Sequence, residues 1–474
     1  MPKQTIDIVA ASRQICSALN NAAIAAILLT AANLAHAATF TVTSTADTAG
    51  ATCGATCTFR QALTAANADV AAAPKIAFNI PGTGVHPISV VGSSLPTIDH
   101  ANLTIDGYTQ PGATVNTLAE GDNAVILIQL DGVGAGSSTS GLTLCAASTT
   151  IKGLSITRFV QRGLKIGDPS LSSVCGSGTR TADDSIIVGN FVGLKPDGMT
   201  SAGNSFGGVL LNSSPNVRIG GSAAADRNVI SANGADGIDV VNPNVTGTAI
   251  LGNYIGTDKS GTLDRGNNTS GIILAINSNG VTVGGAVPNR IAFNNIGIVA
   301  TAASAGNDLA ANDIFANNAL GIDLCGANCG GNGDGTTAND LNDTDSGGNN
   351  LQNFPSLTSA VRSYTTITVQ GSLDVPHTAG ITAQSFSIAV YANTTCDSTG
   401  NGEGEIYLGR APVVLFDNNA LTMQTFSVNI DGAPAGAIIT TTATDAGGST
   451  SEFSACKSMT LGDGIFKNGF EASM

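Results

Sequence analysis

The chain of 474 residues carries 59 glycines, no tryptophan and only 11% charged residues, against roughly 25% in an ordinary soluble domain. Its formal charge of −15 excludes the clustered Lys and Arg that a grip on DNA, RNA or anionic lipid requires. At 42% hydrophobic it is too apolar for a disordered chain, and its core must be built from Val, Ile, Leu and Ala.

The N-terminus reads as an export signal. Lys3 and Arg13 precede the apolar run Ala22–Ala32, and Ala35-His36-Ala37 follows as a small-x-small cleavage site, predicting a signal peptide over residues 1–37. The run is about half of the ~20 residues that span a bilayer, so no transmembrane segment is expected in the mature chain. The expected location is secreted or cell-surface, with the periplasm as the alternative. Nine cysteines less Cys16 leave eight, an even number that suits an oxidising compartment. Their positions suggest local disulfides: Cys53–Cys57, Cys145–Cys175, Cys325–Cys329 and Cys396–Cys456. The C-x3-C spacing, with almost no histidine nearby, does not suit zinc.

Residues 38–100 are expected to form an N-terminal cap. Within them Cys57–Asn67 reads as a short amphipathic helix with Thr58 as N-cap and Phe59, Leu63 and Ala66 on one face. Such a helix can cover the open end of a strand stack.

Residues 101–330 repeat. Ile186-Ile187-Val188-Gly189-Asn190-Phe191-Val192-Gly193 returns as Ala249-Ile250-Leu251-Gly252-Asn253-Tyr254-Ile255-Gly256, an offset of 252 − 189 = 63 residues. A shorter mark, glycine then apolar–any–apolar, begins at Gly141, Gly163, Gly208, Gly237, Gly271, Gly297 and Gly321. The wide gap from Gly163 to Gly208 predicts a hidden coil near Ile186. Three short strands per 20–30 residues, with no room for crossover helices, predict parallel coils stacked about 4.8 Å apart. The fold class is therefore all-β: a right-handed parallel β-helix with a short capping helix and a C-terminal β-sandwich. Alternation turns Ile238 and Val240 inward. It also aligns Thr143, Lys165, Leu210, Asp239, Ile273, Val299 and Asp323 in one outward column. The recurring asparagines (Asn190, Asn233, Asn253, Asn294, Asn312, Asn317) fall at turns, either as stacked amide ladders or as residues that tolerate left-handed backbone.

Residues 331–353 are rich in Asn, Asp and Gly and read as a solvated linker. The alternative is calcium, held by Asp340, Asp343 and Asp345, with Asp397 as a further candidate. No other cofactor is expected. Residues 354–459, with alternating runs about every ten residues, predict an Ig-like β-sandwich. Residues 460–474 are left as a tail.

The stretch Cys53-x3-Cys57-Thr58-Phe59-Arg60-Gln61-Ala62, with Ala65-Ala66-Asn67 behind it, resembles the motif of the CSLREA domain, with Thr58, Phe59 and Gln61 in place of its Ser, Leu and Glu. Thr104-Ile105-Asp106-Gly107-Tyr108-Thr109-Gln110-Pro111-Gly112 and the Gly-Asn-x-Ile-Gly repeats are similar to the same proteins. The resemblance implies a secreted bacterial β-helix of pectate-lyase-like shape, and no particular activity.

Chemistry is thinly signalled. Asp183-Asp184 is the sole adjacent carboxylate pair in residues 101–330 and the catalytic candidate, yet the Gly-His and Arg-x-Lys elements that accompany such pairs in polygalacturonases are missing. Arg227 and Arg290 occupy equivalent repeat positions, which favours a structural contact such as capping a turn carbonyl. The leading expectation is an exported, non-catalytic surface or adhesion protein presenting a repeated binding face to an extracellular glycan or surface protein. The alternative is a lyase or hydrolase of an acidic polysaccharide. A third reading makes the solenoid a spacer for its C-terminal sandwich.

Overall fold

Each apolar–any–apolar run forms a short strand that pairs in parallel with its equivalent one coil away. The computed structural model describes residues 38–168, 175, 181–326, 329, 332–376, 383–416, 423–432 and 437–462. The signal peptide expected over 1–37 and nearly all of the tail lie outside the described residues.

The strands stack on three faces, giving a parallel β-helix. The first face runs from Thr39–Val42 and Lys75–Phe78 through Thr104–Asp106, Thr150–Lys152, Ile186–Val188, Arg218–Gly220 and Ala249–Leu251. The second begins at His86–Val91 and Ile128–Gly134 and continues through Leu154–Thr157, Phe191–Val192, Val229–Ile230 and Tyr254–Ile255. Two longer strands, Thr282–Ala292 and Asp308–Phe315, bend from the first face into the second. The third face is Leu142–Leu144, Arg162–Ile166, Gly207–Asn212, Asp236–Val241, Ser270–Ala275, Ile296–Ala300 and Ile322–Leu324.

Aliphatic rows fill the interior. Ile76, Ile105, Ile151, Ile187, Ile219, Ile250 and Val283 lie in register along the first face, each no more than 1% exposed. Each such side chain contributes about 1.5–3 kcal/mol by leaving water. The recurring glycine has a steric cause: a Cβ on Gly208 would lie 2.5 Å from the Gly237 carbonyl oxygen, and one on Gly297 would lie 2.3 Å from that of Gly321. The expected hidden coil is absent. Arg162–Ile166 pairs directly with Gly207–Asn212, and Cys175, between them in sequence, is bonded to Cys145.

The asparagines form two amide ladders. In one, each Nδ2 donates to the next Oδ1 from Asn190 through Asn228, Asn253 and Asn289 to Asn312, at 2.8–3.1 Å. In the other, Asn204, Asn233, Asn267, Asn294 and Asn317 are linked at 2.9–3.1 Å. All lie in the interior, where the amides satisfy turn carbonyls that would otherwise be stranded.

The N-terminal end is closed by the helix Phe59–Asn67. A capping box joins Thr58 and Gln61, and Phe59, Ala62, Leu63 and Ala66 are buried against the first coils. The C-terminal end is closed by a β-sandwich of two four-stranded sheets, one from Met423–Asp431 to Thr460–Leu461 and one from Ile406–Leu415 to Lys457–Ser458. All four expected disulfides are present.

The stretch read as a solvated linker is exposed or half-buried over its described residues up to Gly347 and packs only at its end. Asn349, Gln352 and Asn353 are at most 4% exposed. Asn349 acts as one more step of the stack: its Oδ1 accepts from Asn307 N at 3.1 Å and its Nδ2 donates to the Asn307 carbonyl at 2.8 Å.

Candidate functional site

The outward column read from the sequence is the one that forms: Thr143, Lys165, Leu210, Asp239, Ile273, Val299 and Asp323 are successive partners on the third face. Its two halves differ. Toward the C-terminal end, Ile273, Ile296 and Val299 are covered, with Cys329 packed against them. Asp323 there accepts from the backbone N–H groups of Asp334 and Gly335, and burial pushes its carboxyl up to about 6. The Gly/Asp-rich segment therefore lies over that half. Of the side expected to present a repeated face, only the other half is left open.

In the open half, the first coils and the bend before Leu142 enclose a groove of about 260 Å³. Ser94, Ser138, Ser140, Thr143 and Gln161 supply hydroxyl and amide groups, and Arg162, Lys165, Phe206 and Leu210 complete the wall. Lys165 faces outward because it alternates with the buried Leu164 and Ile166, and the half-buried Arg162 stands at the start of the same strand. Phe206, two residues before the mark glycine Gly208, is 55% exposed. The Arg162 guanidinium lies 5.0 Å from its ring centroid, a distance at which cation and ring attract.

The groove's two cations are neutralised from outside its lining. Arg162 bonds Asp239 at 2.7 Å, reaching along the axis past Gly207, and Lys165 bonds Asp168 at 2.5 Å. Burial pushes the Asp239 carboxyl up from its usual range, with Arg162 pulling it back down. Chemically, the site offers an open aromatic surface ringed by groups that both donate and accept hydrogen bonds.

The other candidates resolve as follows. Asp183 and Asp184 sit in a turn whose backbone joins the coils on either side, through Ser148 N to the Asp183 carbonyl and Asp184 N to the Pro215 carbonyl. They do not reach the groove. Arg227 does cap carbonyls: it donates to those of Leu118, Ala119 and Gly121 and stacks 4.4 Å from the Tyr254 ring centroid. Arg290 pairs with Glu120 at 3.2 Å over the same ring. The two arginines thus strap one loop to the second face.

Oxygens of Asp340, Asp343 and Asp345 lie within 4.8 Å of one another, a donor set that suits a hard cation such as calcium. Burial, then the neighbouring Asp345 and Asp340 charges, pushes Asp343 up to about 7. Asp397 does not join them; its carboxylate accepts from Thr399 N at 2.8 Å in its own loop. Asp323, Cys325, Cys329 and Asp334 also cluster, but the two sulfurs are bonded to each other and are not thiolate ligands.

A second cavity, of about 310 Å³, lies where the solenoid meets the sandwich and includes Asp397, Glu403 and Glu405. Its acids are committed to the fold. Glu403 accepts from Asn317 Nδ2 at 2.8 Å and from Asn317 N at 3.2 Å, and Glu405 accepts from Thr394 N at 2.8 Å.

No family model matches the chain, and no curated protein matches it; the resemblance carried by Cys53–Asn67 therefore stands on those residues. Among solved structures, the chain is similar to full-length tailspike protein 2 from Escherichia coli O157:H7 bacteriophage CAB120, with 11% identity and a TM-score of 0.26. That alignment covers 83% of this chain and 64% of the tailspike chain. The strand register, not this likeness, establishes the fold.

Proposed function

We propose that the chain is an exported, non-catalytic surface protein of the CSLREA-domain type that binds glycans through the open half of its third face. One observation carries the reading: Phe206 stands exposed in a groove walled by hydroxyl and amide groups, an arrangement that suits a sugar ring better than a peptide or a nucleotide. The four disulfides favour an oxidising compartment. No helix among the described residues is long and apolar enough to cross a membrane.

Cleavage is less well supported. Hydrolysis by two carboxylates needs them about 5–9.5 Å apart across the bond, and no carboxylate is among the residues lining this groove. The nearby acids Asp168 and Asp239 are held by Lys165 and Arg162.

The test is retention of the purified mature chain on immobilised polysaccharides, with the supernatant assayed for new chain ends. The expected result is saturable retention, lost in Phe206→Ala, and no released product. Released oligosaccharides would move the protein to the enzyme class; retention indifferent to Phe206→Ala would place binding elsewhere.

A further inference from the structure

We infer that the groove on the third face selects a neutral pyranose ring and rejects a carboxylated one; this rests on the glycan-binding reading above. Arg162 and Lys165 would ordinarily point to an acidic sugar. Each, however, already holds a carboxylate, Asp239 at 2.7 Å and Asp168 at 2.5 Å, with both acids nearly buried. A uronate entering the groove would meet two cations already paired with carboxylates, Arg162 keeping a buried Nη1 without a hydrogen-bond partner, and two fixed negative charges, on a protein whose net charge is −15. Displacing either aspartate would leave a buried carboxylate unpaired, which costs more than a surface pair returns.

The remaining chemistry is matched to uncharged hydroxyls. Ser and Thr hydroxyls and the Gln161 amide can each donate or accept, as a sugar hydroxyl can. Phe206 gives the apolar C–H face of a pyranose a surface to lie on, and the Arg162 guanidinium above the ring fixes its orientation. A volume of about 260 Å³ falls below the ~300–1,000 Å³ of clefts that enclose a drug-sized ligand. The groove therefore reads one ring, or the end of a chain.

The deciding experiment titrates the intact mature chain with neutral oligosaccharides (gluco-, manno- and galacto-) and with uronate oligosaccharides, at about 50 and 500 mM salt. The expected result is binding within the neutral set, unchanged by salt. Phe206→Ala should weaken it about tenfold, and Lys165→Gln less than about threefold. Circular dichroism would check that both variants fold, Phe206 being exposed and Lys165 half-buried. Preference for uronates, with affinity falling as salt rises, would overturn the inference while leaving glycan binding intact. Failure of both sets to bind would overturn the inference together with the reading on which it rests.

Discussion

At the N-terminal end of the solenoid the lid is apolar and its charges are matched: Phe59 packs 5.7 Å from Phe78, and buried Arg60 forms two 2.8 Å bonds to Asp47. At the C-terminal end the last coil meets unmatched acids. Glu403 continues the Asn317 ladder, and Glu452 accepts from the N–H groups of Leu324 and Thr337 at 2.9 and 3.0 Å. Burial pushes both carboxyls up to about 8. The same task, satisfying the open edge of a strand stack, is thus met once with compensated charge and once with carboxylic acids. Only the second solution depends on protonation.

The largest effect should come from the apolar lid. Phe59→Ala removes a fully buried ring and should cost about 3–5 kcal/mol, measured by urea unfolding. That loss should be the same at pH 5 and pH 8; a loss that changed with pH would break the contrast between the ends.

The next effect concerns the other end. Glu403 and Glu452 hold their protons more tightly folded than unfolded, so their contribution is fully present below about pH 4.5 and is lost as pH rises through about 8. Thermal melts should therefore fall across that window. Glu403→Gln, neutral throughout, should remove on the order of a quarter of the decline, because Glu452, Asp343 and Asp323 are also raised and titrate within the same window. An equal decline in the variant would sink the assignment.

The smallest effect belongs to the acid trio beside the sandwich. Asp345→Asn relieves Asp343 of one like charge and should raise the melting temperature slightly at pH 8, with no change at pH 5, where Asp343 is already protonated. If calcium raises the melting temperature of the wild type and not of this variant, the trio holds the ion.

Much of the winding was legible because the period-two alternation and the glycine mark are local and repeat; the outward column through Asp239 follows from them directly, and the helix at Phe59 follows from its own helical spacing and the Thr58 cap. The coil expected near Ile186 failed because spacing alone cannot separate a missing turn from a long connection. The linker reading failed at the end of its stretch because Asn349 and Asn353 are polar by composition yet are held, Asn349 by Asn307 of the stack and Asn353 by Asp340 and Asp374. The groove was not legible. Its walls come from residues 94, 138–143, 161–165 and 206–210, which only the stacking of coils brings together. Phe206 next to the Gly207-Gly208 pair was the one available hint, since an aromatic on the outward side of a strand start has no core to enter.

Asn190 and Asn253 hold equivalent places in one ladder, separated by two turns of the winding through Asn228. A 63-residue block could therefore be inserted or deleted with every amide still meeting an amide. The shaft can be lengthened in steps of about 10 Å, with both lids and the third-face groove left as they are. Reach is thus a quantity this scaffold can vary by duplication, independently of the groove's lining.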